Sequence, residues 1–318
     1  MRYYADQDNL HTRIYAMRSR LLSLKEYASI VKDGEAFYDN ISGAHDYIEA
    51  KEMVFREQIA MVIHLAEATK KYAPLFTAFL RQYEVSNAKL LLAKSFGRQS
   101  LGQWYDIGPH AILDKGLLQQ ELSLDDIRTI MAGTYLEDVF KDVSSYERLE
   151  IQVDISAARN LYTSSAPLLP ESRKVFRDFM LRRIAVITTI WHWRLKQSYH
   201  WSDERIRRYL ETFHSLNLLG GHAWPQVRIV EEALNRRLEQ LRKSGGEKPT
   251  AVDIEYHLEQ YYYSWVSSMF HKDFHSIHCV VAYLLLLYYQ IRNLFCIAEG
   301  LRFGLSPETI LEMIISEV

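Results

Sequence analysis

The sequence predicts an all-α protein built from three similar helical domains. Three observations carry that prediction. Apolar residues recur at helical spacing and seldom alternate in the manner of strands. Only seven prolines and thirteen glycines interrupt 318 residues. Landmarks along the chain also repeat at a period of roughly one hundred residues, which suits domains better than solenoid units.

Taken in order, residues 9–31 are expected to form one amphipathic helix, with Leu10, Ile14, Met17, Leu21 and Leu24 on one stripe. Arg13, Arg18, Arg20 and Lys25 flank it, either as a solvated face or as a docking surface for an acidic partner. Gly34 and Asn40–Gly43 mark a break. A long helix is expected from Asp46 to Lys71, with Ile48, Val54, Phe55, Ile59, Val62, Ile63 and Ala66 near helical spacing. Pro74 opens a second helix reaching Phe96, because proline suits a first helical turn. The glycine-spaced, aromatic segment Gly97–Gly116 reads as a loop or insertion. Ser123 then caps a helix whose first turn carries Asp125 and Asp126.

Further along, residues 146–162 form an amphipathic helix that ends before Pro167 and Pro170. A long helix from Glu171 to Gln197 turns apolar along Ile184–Trp191. Ser202 caps the next helix, Gly220-Gly221 and Trp224-Pro225 bracket a turn, and a charged helix runs to Arg242. Residues 243–249 are the clearest linker. A tyrosine-rich helix spans Asp253–Phe270. The last stretch begins with eleven residues free of charge or amide, Cys279–Tyr289. Polarity returns at Gln290-Ile-Arg-Asn293, and Ser306-Pro307-Glu308 starts a final capped helix.

The internal period is read from three kinds of landmark. Acidic helix starts fall at Glu49, Glu150 and Asp253, stepping by 101 and 103. Polar notches in apolar helices fall at Asn87, Thr188 and Asn293, stepping by 101 and 105. Capped starts fall at Ser123, Ser202 and Ser306. The first capped start is displaced if Gly97–Gly116 is private to the first copy. Leu22-Ser23-Leu24 matches Leu122-Ser123-Leu124, so the third copy could borrow a helix from the N-terminus. The division is therefore 1–45 as an N-terminal helix segment packing with the repeats, then repeats at 46–145, 146–248 and 249–318. Three similar domains make a pseudo-threefold body with a concave face or central opening.

The bulk numbers exclude several classes. A formal charge of −2 leaves no basic excess for a general polyanion binder. The start lacks an apolar signal region. The longest apolar run is eleven residues, against the roughly 20 that cross a bilayer, so a soluble protein is expected. Cys279 and Cys296 lie in apolar sequence, seventeen residues apart on one helix, and are read as buried thiols rather than a bridge. No phosphate loop, zinc-protease or nucleophile-elbow motif occurs. His271, His275 and His278 could hold a metal with Asp273, but they read equally as a polar turn between helices. Trp191-His-Trp193 reads as core with one tolerated histidine, the alternative being a base-stacking platform. Asn87 and Asn293 are either satisfied buried amides that fix how helices meet, or partner contacts on the concave face. No catalytic, cofactor or metal residue is assigned. Two other classes stay open beside the reading below: a general helical scaffold and a metal enzyme using the three histidines.

The stretch from Ala282-Tyr-Leu through Gln290-Ile-Arg-Asn-Leu-Phe-Cys-Ile-Ala-Glu-Gly300 to Ser306-Pro-Glu-Thr-Ile310 resembles the C subunit of prokaryotic V/A-type rotary ATPases, related to the d subunit of the eukaryotic vacuolar enzyme. Glu84-Val-Ser-Asn-Ala-Lys89 is similar to that family's Asp-Ile-x-Asn-x-Lys, and Arg18-Ser-Arg-Leu-Leu22 to its opening helix. The likeness spans essentially the whole chain. It departs at Glu84, where Asp is usual, at Ala93, where Arg often follows, and at Thr188 in the middle copy. The resemblance implies a funnel-like body of three helical domains on the cytoplasmic side of the membrane. Such a body seats on the proteolipid ring and holds the foot of the central shaft, subunits D and F, without a nucleotide site. Asn87, Lys89, Asn293, Arg18 and Arg20 are the partner-contact residues this implies.

Overall fold

The computed structural model describes residues 2–34, 47–98, 102–141, 145–197, 199–206, 208, 210, 223–243, 250–273 and 276–317. Every regular element among them is helical. In chain order they are α1 (Arg2–Arg18), α2 (Leu24–Lys32), α3 (Tyr47–Ala68), α4 (Ala73–Ser95), α5 (Leu124–Met131), α6 (Tyr146–Thr163), α7 (Pro170–Gln197), α8 (Ala223–Lys243), α9 (Ala251–Phe270), α10 (Ile277–Arg302) and α11 (Pro307–Glu312). Short 3₁₀ turns occupy Gly108–His110, Lys115–Gln119 and Glu137–Phe140. The chain divides into two compact units, Glu35–Leu169 and a second one made of Met1–Gly34 with Pro170–Val318.

Within Glu35–Leu169, α4 packs against both α3 and α6. Its apolar residues point to several sides: Ala88, Leu91 and Leu92 join Ile127, Met131, Leu149 and Val153 in one core. A helix apolar on more than one face is buried by more than one neighbour. Ser123 and Asp126 form a capping box at the start of α5, each side chain bonding the other's backbone N–H. The segment after Gly97 is irregular, yet Trp104, Ile107 and Leu113 are buried. It is a loop with a core face.

In the other unit, α7, α9 and α10 pack against one another and α8 lies along α7. The N-terminal segment belongs here, with α1 against α10 and α2 against α11. The single helix expected over 9–31 is broken. The Ser23 hydroxyl accepts from the Glu26 N–H and the Glu26 carboxylate takes the Ser23 N–H, so the chain restarts a helix at Leu24. Leu10, Ile14 and Met17 are buried as one stripe, while Leu24, beyond the break, is exposed. Trp224-Pro225 lies inside the first turn of α8 rather than in a turn, where a missing proline N–H costs no helical bond. Gly220-Gly221 and the linker residues 244–249 lie outside the described residues.

The opening half of α10 is buried at Ile277 and from Cys279 through Leu287, with His278 between them half-buried. Its length and a mean hydropathy of 1.6 would suit a membrane span, but 83% of that window is buried inside the protein. Its apolar surface is already used as core. At its far end Gly300 lets α11 approach closely, because a Cβ there would meet Ile310 Cγ1 at 2.6 Å.

Candidate partner-facing and helix-coupling residues

Five residues were singled out for partner contact, and the structure distributes them among different tasks. Asn87 sits mid-way along α4 and is 0% exposed. Its Nδ2 donates to the Tyr105 carbonyl at 2.8 Å, and the Tyr105 N–H returns a bond to its Oδ1 at 2.8 Å. Asn293, in α10, is 2% exposed and repeats the pattern. Its Nδ2 donates to the Ile315 carbonyl at 2.7 Å, and the Ile315 N–H donates to its Oδ1 at 3.0 Å. Each amide therefore imitates a backbone peptide and grips one residue of an irregular segment. Burial turns both away from any surface and commits them to the fold, as a satisfied amide requires.

Lys89, two residues on, pairs with Asp154 across α4 and α6 at 2.7 Å, both side chains about one-quarter exposed. Arg18 closes the end of α1 against the C-terminal segment, 3.2 Å from Glu317, with its guanidinium 5.8 Å from the Phe270 ring. Arg20 is exposed on the turn after α1. Of the five, only Arg20 is classed as exposed.

The residue three before each asparagine completes the grip. Glu84 Oε1 accepts the N–H groups of Ile112 and Leu113, at 2.5 and 2.7 Å. Gln290 Oε1 accepts the N–H of Leu22 at 2.6 Å. An i, i+3 pair lies on one helix face, so each helix presents two hooks to the segment running over it. In α10 these hooks hold both chain ends, Leu22 from the N-terminus and Ile315 from the C-terminus.

An ionic cluster joins α7, α9 and α10. Glu259, 4% exposed, lies 2.6 Å from Arg183 and 3.7 Å from Arg292, and accepts the Tyr289 hydroxyl at 2.5 Å. Glu255, one turn earlier, bridges Arg194 and Arg292. Burial alone would push the Glu259 carboxyl up, but Arg183 and Arg292 hold it below the usual range. Burial raises Tyr289 most, and the neighbouring Glu259 raises it further, against the opposing pull of Arg183. Sequence reading missed this cluster. The available signal was Arg182-Arg183 immediately before an apolar run, with Glu259 beside Tyr261-Tyr-Tyr263.

His271 ends α9 and His278 opens α10, where its Nδ1 lies 2.5 Å from the Ser276 hydroxyl. His275 lies outside the described residues. Among the described residues no group of three His, Cys, Asp or Glu is placed to hold a metal. Burial pushes the Cys279 thiol up to about 12, as for an inert core cysteine.

The profile of the ATP synthase (C/AC39) subunit family matches residues 10–313. The chain belongs to this family. No curated protein matches it. As a C/AC39 subunit it is a component of a V/A-type rotary ATPase, which agrees with the resemblance carried by the α10–α11 stretch. The matched span runs from Leu10 in α1 to Met313 after α11, so it includes both hooked helices and the ionic cluster.

Proposed function

We propose that this C/AC39 subunit is a non-catalytic rotor adaptor on the cytoplasmic side of the membrane, joining central-shaft subunits D and F to the proteolipid ring. The single observation that supports the reading best is the Arg183–Glu259–Arg292 cluster, which ties the three long helices α7, α9 and α10 through one buried carboxylate. A part that passes torque must resist sliding of its helices. Close packing with few voids supplies that stiffness, and a charge cluster at a helix junction fixes register as well. The division into three repeats and a pseudo-threefold, funnel-like body belongs to the same proposal. So does a contact role for exposed Arg20 and part-exposed Arg18 and Lys89. Because the apolar half of α10 is core, the membrane would be reached through the ring.

The test is co-elution of the purified chain with the D–F shaft subcomplex and with the detergent-solubilised ring. The expected result is a stable complex with each at micromolar concentration. Failure to bind either one overturns the adaptor and leaves a helical scaffold with another partner.

A further inference from the structure

The two hooked helices do the same mechanical work with different chemistry. In α10 the first hook is Gln290, a neutral amide. In α4 it is Glu84, an acid that is 0% exposed. Its Oε1 takes both backbone N–H groups of Ile112 and Leu113, while its Oε2 is buried with no hydrogen-bond partner among the described residues. The segment these bonds hold is irregular backbone with two short 3₁₀ turns. Few helical hydrogen bonds of its own keep it in place, so the hooks at Glu84 and Asn87 matter more to it.

We propose that Glu84 makes the attachment of residues 102–119 to α4 a proton-dependent latch, closed while the carboxyl is neutral and loosened when it ionises. The charged and titratable groups around it are few. Arg81 lies one turn back on α4, and Tyr135 follows α5. On the held segment His110 bonds Thr77 through Nδ1, and its Nε2 has no hydrogen-bond partner among the described residues. Glu67 of α3 acts on His110. None forms an ion pair with Glu84 among the described residues, so Arg81 lowers the cost of ionisation without abolishing it. Burial is the largest influence and raises the Glu84 carboxyl above its ordinary value of 4.5, against the two backbone bonds and Arg81.

The sign follows from linkage. Between 4.5 and the raised value, the closed latch holds a proton that the open, hydrated form has lost. Raising pH through that window favours opening by up to about tenfold per pH unit. Gln290 has no such proton, so the equivalent hold on Leu22 should not depend on pH.

Hydrogen exchange on the full chain, corrected for the intrinsic effect of pH, reads the two latches side by side. Protection at Ile112 and Leu113 should fall by up to about tenfold per unit of rising pH across the window, with protection at Leu22 flat. Glu84→Gln should flatten the response at 112–113, and Gln290→Glu should transfer it to Leu22. A flat response at 112–113 in the unmodified chain overturns the proposal even if neither variant folds. The same slope persisting in Glu84→Gln overturns it as well, assigning the effect to His110 or to global unfolding.

Discussion

Asn293 and Ile315 exchange two hydrogen bonds, side-chain amide to backbone peptide, inside a region where neither meets water. Removing the amide leaves a buried N–H and a buried C=O without partners, each costing about 1–3 kcal/mol. Asn293→Ala should therefore lower unfolding free energy by about 2–6 kcal/mol. Denaturant titration measures it. Asn293→Asp should also destabilise, because it replaces the donor to the Ile315 carbonyl with an oxygen.

Gly300 and Gly304 are small for different reasons, and alanine should separate them. At Gly300 a Cβ would lie 2.6 Å from Ile310 Cγ1, against a side chain with no exposure. At Gly304 the space is open but φ is 66°. Gly300→Ala should cost about 1–3 kcal/mol through overpacking. Gly304→Ala should cost about 1 kcal/mol through backbone strain alone. Thermal melts compare the pair, and equal losses would contradict the packing account.

Glu259→Gln removes the only carboxylate within salt-bridge reach of Arg183 among the described residues. Breaking a buried pair on one side typically costs about 3–5 kcal/mol, since the remaining charge stays buried. The native carboxylate also gives an acid-side dependence. Its folded value is depressed, so its stabilisation is present above the ordinary carboxyl range and is lost as pH falls through the folded value. Acid unfolding of the unmodified chain should show this loss. Glu259→Gln should be less stable at neutral pH and should lack that part of the acid transition.

Ser23→Ala removes the hydroxyl half of the capping box that restarts the chain at Leu24. The expected cost is about 1 kcal/mol. Because α2 packs on α11, faster amide exchange should appear in both helices. Loss of protection confined to α2 would show that α11 is held without it.

The helices themselves were legible because their signals are local. Pro74, Ser123, Ser306 and the 3.6-residue spacing each act within one or two turns. The restart at Ser23 was visible as a matching tripeptide, yet the apolar stripe across it argued for one unbroken helix. The two asparagines stood out as polar notches in apolar helices. Their partners Tyr105 and Ile315, eighteen and twenty-two residues away, did not. A buried amide must bond something, but sequence does not say what.

By itself the sequence determined an all-α chain, the start of each strongly capped helix, and a family likeness resting on the order of its landmarks. Tertiary structure decided what those landmarks do. It turned Asn87 and Asn293 inward onto backbone and joined the two chain ends at α10. It also gathered Arg183, Glu259, Tyr289 and Arg292 from three helices. The physical reason is range. Caps and periodicity are set by neighbours along the chain, whereas hydrogen-bond satisfaction and charge pairing in a core are set by whatever packing brings within about 3 Å.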